Sequence, residues 1–146
     1  MPILDSNRLL HSEQVANFMF SNTHFPNNKE ELYTLGLLHD IGYLFSNSDH
    51  NIIGGNFLRE QQYKYWKEVY YHGIPYPSYS SRILVELNWA DLSVDSYGNN
   101  VGFEKRINNI LERYGYESIQ YLNTLEMKRL LEEKGYCSIF NINPKK

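Results

Sequence analysis

Helical periodicity runs through almost the whole chain, and no stretch alternates apolar and polar residues long enough to make a half-buried strand. Short polar breaks cut that pattern into segments, so the chain must bury its apolar stripes helix against helix. Asp5 or Ser6 can cap a first helix running to about Phe20, with Leu9, Leu10, Val15, Ala16 and Met19 along it. SNTHFPNN is a loop by composition. Asn28 then caps a second helix, with Glu31 three residues on as in a capping box; Leu32, Leu35, Leu38 and His39 follow at helical spacing, and Gly42 ends it. After the loop YLFSNSD, a third helix starts near Asp49 and carries Ile52, Ile53, Phe57 and Leu58. A fourth, aromatic segment covers about Tyr63 to His72, closed by Gly73, Pro75 and Pro77. A fifth helix runs from about Ser80 to Asp91, SVDSYGNNVG is a loop, and two more helices cover about Phe103 to Tyr114 and Ser118 to Lys134. The expected fold is all-α: one helical bundle of about six to seven helices over residues 1–146. Its core is expected in about 5–134, and the tail at 135–146 is expected to pack as an extended strap.

Composition narrows the function classes. At 146 residues the chain has the size of one domain with one real core. A hydrophobic fraction of 42% with mean hydropathy −0.54 fits a soluble globule, and no run approaches the roughly eighteen apolar residues of a membrane span. The opening MPILDSNRLLHSEQ has neither the basic start nor the apolar stretch of a signal peptide, so the cytoplasm is the expected compartment. A single cysteine, Cys137, excludes an internal disulfide framework and any CxxC zinc site. Fourteen Lys and Arg against seventeen Asp and Glu give a net charge of −3, which argues against dedicated nucleic-acid binding by phosphate neutralisation. The chain is 15% aromatic, yet its thirteen tyrosines are not interleaved with basic residues as in a base-stacking platform.

The informative polar residues are histidines and aspartates. With five of each, a His-Asp doublet is expected by chance about 0.17 times, so His39-Asp40 alone is weak evidence. Its position says more: it ends an apolar helix, where two metal-competent side chains can both turn toward one point. His11 shares the apolar face with Val15 and Phe18, where a lone histidine is more often a hydrogen-bonded core residue. Asp91 follows Leu84, Leu87 and Asn88 at helical spacing and so points inward, where a carboxylate needs an ion pair or a metal. His50 opens a helix and His72 precedes Gly73; taken singly, each reads as a solvated or dipole-favoured residue. His24 belongs to a polar loop, and Asp49 and Asp95 to cap and loop positions. Taken together, separated helices each turn one His or Asp inward, as a metal site needs.

In order along the chain, RLLHSEQVANF, LGLLHDIGY, SDHNIIGGNFL, VYYHGIP and NWADLSVDSYG resemble the HD-domain superfamily of metal-dependent phosphohydrolases. VGFEKRINNILERYG is similar to the stretch that follows the aspartate in many small members. The resemblance covers about Arg8 to Gly115 and implies a small single-domain, HD-type bundle. It also implies that His11, His39, Asp40 and Asp91 are primary metal ligands, with His50 and His72 serving a second metal as in binuclear members. Gly36, one turn before His39, and Gly54, one turn after His50, suit close helix approach. The lysine after HDIG and the GYP motif of cyclic-dinucleotide enzymes are absent, with Tyr43 after HDIG. The glutamate of mononucleotide 5′-phosphatases is absent too, and the aspartate region differs from that of symmetrical dinucleoside tetraphosphate hydrolases. The subfamily therefore stays open.

The activity so implied is hydrolysis of a small phosphoester, best bet a nucleotide, by a metal-activated water. One or two divalent ions (Mn, Fe, Co, Ni, Zn or Mg) would serve it. Asp40 has the dual role of ligand and proton acceptor borne by that position in the family, with Arg8 and Arg106 beside it as catalytic residues. Arg8 lies one turn before His11 on the same face, Arg106 at a position the family often fills with arginine; with Tyr43 they are the expected substrate contacts. Arg82 is out of phase with Asp91 and reads as solvated. Two other readings stand beside this: an HD-type diiron oxygenase or lyase, and a catalytically silent HD domain that binds a ligand or partner. A monomer or homodimer fits either case.

Overall fold

The computed structural model describes residues 6–138. Seven α-helices appear among them: α1 (Ser6–Asn22), α2 (Lys29–Leu38), α3 (His50–Glu60), α4 (Trp66–Tyr71), α5 (Arg82–Asp91), α6 (Gly102–Tyr114) and α7 (Ile119–Glu133). The described residues contain no strand, only one isolated antiparallel bridge between Val94 and Asn100. The all-α expectation holds. Helix α5 runs through the middle: Leu84, Glu86, Leu87, Asn88, Trp89 and Ala90 are all buried. Around it, Val15 and Met19 of α1, Leu32 and Leu35 of α2, Leu58 of α3, Val69 of α4, Phe103 and Ile107 of α6 and Met127 and Leu131 of α7 form one core. Among the described residues no helix is long and apolar enough to cross a membrane.

Several local expectations need correction. Asn28 closes a 3-10 turn (Pro26–Asn28) and makes no side-chain cap bond. Glu31 does not cap the helix start: its carboxylate accepts from the Asn28 side chain at 3.3 Å and also from Tyr65 Oη at 2.8 Å and Lys64 Nζ at 3.1 Å, because the turn before α4 crosses there. Helix α2 stops at Leu38 rather than near Gly42, and Ile41–Leu44, expected as part helix and part loop, forms a second 3-10 turn. Asp49 precedes α3 in the left-handed region (φ 55°) and gives no side-chain cap, so its carboxylate does not start the helix. Helix α4 is shorter than Tyr63 to His72. Gln62 adopts φ 62°, and the Tyr63 amide donates to the Leu58 carbonyl at 2.9 Å, a helix-ending bond that consumes the first residues of the expected segment. Helix α5 starts at Arg82, two residues after the expected Ser80, and is capped by Ser81, whose Oγ accepts from the Leu84 amide at 3.0 Å. Of the two expected caps for α1, Asp5 lies outside the described residues.

Three glycines set the helix spacing that the site requires. A Cβ on Gly36 would meet the Ala16 Cα at 2.5 Å, so α1 and α2 touch backbone to backbone one turn before His39. A Cβ on Gly42 would meet the His50 carbonyl oxygen at 1.9 Å, and one on Gly54 would meet the Gly42 nitrogen at 2.9 Å. The turn after His39-Asp40 is thus pressed onto α3. At the far end, the start of the expected strap lies along α5 and α6. Trp89 Nε1 donates to the Cys137 carbonyl at 2.9 Å, and the Phe103 amide donates to Ser138 Oγ at 3.0 Å. Residues 139–146 lie outside the described part.

Gly36→Ala should force α1 away from α2, because the atom met is backbone and cannot rotate aside. Overpacking of this kind costs about 1–3 kcal/mol, so the midpoint of a circular-dichroism melt should fall by roughly 5–10 °C. A melt unchanged within a degree would show that the contact is slack.

Candidate metal centre

Three helix ends, one helix start and the body of α1 deliver six metal-competent side chains to one place. His11 comes from the middle of α1, His39 and Asp40 from the end of α2, His50 from the first turn of α3, His72 from the end of α4 and Asp91 from the last turn of α5. His11, His39, Asp40 and His72 are all buried, at 4% exposure or less. His11 Nε2 lies 2.8 Å from Asp91 Oδ1, and His39 Nε2 lies 3.3 Å from Asp40 Oδ2 and 3.5 Å from Asp91 Oδ1. On its other side, Asp40 Oδ1 lies 3.3 Å from His50 Nε2 and 3.4 Å from His72 Nε2. Asp40 therefore spans two half-sites, one oxygen in each. His11–His39–Asp40, His39–His72–Asp91 and Asp40–His50–His72 each bring their ligand atoms within 4.8 Å of one another.

The ring orientations follow one rule. His39 Nδ1 is 2.7 Å from the Gly36 carbonyl and His72 Nδ1 is 2.6 Å from the Val69 carbonyl, each acceptor three residues back in its own helix. His11 Nδ1 donates to the Asp95 carbonyl at 3.0 Å. With Nδ1 as donor to a carbonyl, the neutral ring carries its lone pair on Nε2, which faces the centre in all three cases. Asp95 does more than fill a loop. Its carboxylate accepts from the Tyr97 and Asn99 amides at 2.9 Å, folding the loop that presents the carbonyl to His11. That role was not legible in the sequence, since it belongs to a backbone atom.

His50 is held differently. Its ring stacks on Tyr43 with centroids 4.1 Å apart and planes 15° apart, and the Arg8 guanidinium carbon lies 3.4 Å from the opposite ring centre. Burial and the nearby Asp40 push the Tyr43 hydroxyl well up, so it stays protonated. Arg8 and Tyr43 both border the cavity that opens over the centre. Arg106 lies there too, but its first partner is protein: Nε donates to the Asp91 carbonyl at 3.2 Å and Nη1 to Asn109 Oδ1 at 2.9 Å. Its Nη2 is 3.7 Å from Asp91 Oδ1. His24 pairs with Glu86 at 3.4 Å and joins none of the three ligand groups, and Arg82 lies over Phe25.

The electrostatics call for a cation. Burial works to raise the Asp40 carboxyl, but His39, His50 and His72 outweigh it and hold the group well below the usual carboxylate range. Asp91 is also held low: burial opposes, and the hydrogen bond with His11 and the closeness of the His39 ring prevail. Burial would depress His39, yet Asp40 and Asp91 raise it to about 9. A buried and a half-buried carboxylate thus attract positive charge to the centre. His39 Nε2 is also fully buried without a hydrogen-bond partner, an expensive state for a polar atom that a metal ion would relieve. Four imidazoles and two carboxylates suit a first-row divalent ion.

A match to the HD domain extends over residues 8–118, most of the chain and every one of the six side chains above. The chain belongs to the HD domain family, of which metal-dependent phosphohydrolases are typical. No curated protein and no solved structure matches it significantly.

His39→Ala should strip most bound metal while leaving the helical circular dichroism largely intact. Elemental analysis of purified variant and wild type checks this; full metal content in the variant would count decisively against the centre.

Proposed function

We propose that the protein hydrolyses a small phosphoester, with a nucleotide as the preferred class, at a centre of one or two divalent ions held by His11, His39, Asp40 and Asp91, joined by His50 and His72. The supporting observation is His39 Nε2, buried without a hydrogen bond between the buried Asp40 and the half-buried Asp91, beneath a cavity bordered by Arg8 and Arg106. A bound cation would supply Lewis acidity and a water of lowered pKa. The residues do the rest. Asp40, with an oxygen in each half-site, is placed to accept the proton of the attacking water as well as to hold metal. Arg106 steadies Asp91 through the backbone and keeps part of its guanidinium on the cavity, where it meets phosphate charge. Arg8 brings a second cation over Tyr43. Tyr43 then acts mainly as the surface against which His50 is stacked, and borders the cavity that would take the substrate. An arginine-lined cavity favours a phosphoester over the substrates of an oxygenase. The setting would be the cytoplasm, as a monomer or homodimer.

Wild-type protein supplied with Mn, Ni, Co or Mg should release phosphate from at least one member of a phosphoester panel, and Asp40→Ala should fall to background with its metal lost. Arg106→Ala should lower kcat/KM by roughly 10- to 100-fold, the worth of a charge-assisted hydrogen bond, chiefly through KM. A panel without turnover under any metal, with ligand binding unchanged in Asp40→Ala, would move the assignment to a silent binding domain.

A further inference from the structure

The wall of the cavity opposite the metal ligands is built by the end of α6 and the first turns of α7. Helix α7 lies beyond residue 118, where the family match ends. Two adjoining hollows, of about 190 and 410 Å³, meet over Asp91 and His50 and share Tyr114, Ile119, Gln120 and Asn123 along this wall. Its chemistry differs from that of the metal face. Tyr114 and Ile119 are large apolar side chains left 40% and 63% exposed at the mouth. Gln120 and Asn123 are carboxamides on one face of α7, three residues apart. Neither side chain makes a hydrogen bond among the described residues, whereas the carboxamide of nearby Asn109 is engaged by Arg106. Asn123 is half-buried and borders both hollows as well as the smaller one beneath α6.

A carboxamide offers one donor and one acceptor side by side in a plane, the complement of the donor–acceptor edge of a nucleobase. Flat apolar surface beside it suits the face of such a ring. The geometry points to α7 as the specificity element: Asn123 and Gln120 read the edge of a nucleobase whose 5′-phosphate lies at the metal centre, with Tyr114 and Ile119 against the ring. This rests on the phosphohydrolase reading only in placing phosphate at the metals. It gives the substrate preference to a helix that contributes no metal ligand.

The test is binding by the full-length, manganese-loaded protein, measured by calorimetry with inorganic phosphate, ribose 5-phosphate, adenosine 5′-monophosphate and uridine 5′-monophosphate. Wild type should prefer at least one nucleotide over ribose 5-phosphate by roughly 10- to 100-fold. Asn123→Leu and Gln120→Leu should each erode that preference while inorganic phosphate binds as before and metal content is unchanged. Gln120 is exposed, so its variant keeps the test valid if Asn123→Leu fails to fold. Equal binding of nucleotide and ribose 5-phosphate by wild type, or a preference that survives both substitutions, would overturn the assignment. Nucleotide preference that is lost in the variants, in a protein without turnover, would support recognition by α7 and sink the hydrolase reading instead.

Discussion

The Asp40 carboxylate is buried at 4% exposure, and the architecture around it is arranged to make that burial tolerable. An isolated charge in such a place would cost several kcal/mol. Here each of its oxygens faces imidazole nitrogens from two other positions, so four helices and the turn after α2 meet at one atom pair. The requirement reaches outward. His11 can come near Asp40 only because Gly36 lets α1 lie directly on α2, and His50 only because Gly42 and Gly54 let the turn and α3 touch. The apolar core fixes helix against helix, and the glycines set how closely they approach.

Much of this was legible in the sequence, for identifiable reasons. Long apolar stripes such as those of α1, α5 and α6 declare their helices, and the inward phase of His11 and Asp91 follows from the same spacing. The convergence of the ligands was approached through the ordered series of motifs around LLHDIG. What failed were features decided by tertiary contact. Glu31 has the spacing of a capping residue, yet Tyr65 and Lys64, in the turn before α4, share its carboxylate. Gln62 is not a residue whose type announces a left-handed turn, so the shortening of α4 was hidden. Asp95 acts through its carbonyl, and Asn123 and Gln120 acquire meaning only once α7 is folded over the cavity.

The two faces of the cavity obey different physics. The ligand face is charged, buried and crowded, so nearly every substitution there disturbs several partners at once. The α7 face is partly solvated and its side chains have few obligations to the rest of the protein. In the proposed function, chemistry and selectivity are thereby separated in space, and the second can change with little cost to the first.

His39 and His72 each tie Nδ1 to a carbonyl three residues back in their own helix, so the direction of each ring is decided within one helical turn. Aim travels with the helix end, and the docking of helices has only to supply distance. During folding, these ligands can be oriented before the bundle closes, in whatever order its helices arrive. His11 is the opposite case, because its acceptor lies in a loop 84 residues away and its ring cannot be fixed until the α5–α6 connection has folded. The imidazole nearest the start of the chain is thus the one whose aim depends on a distant segment.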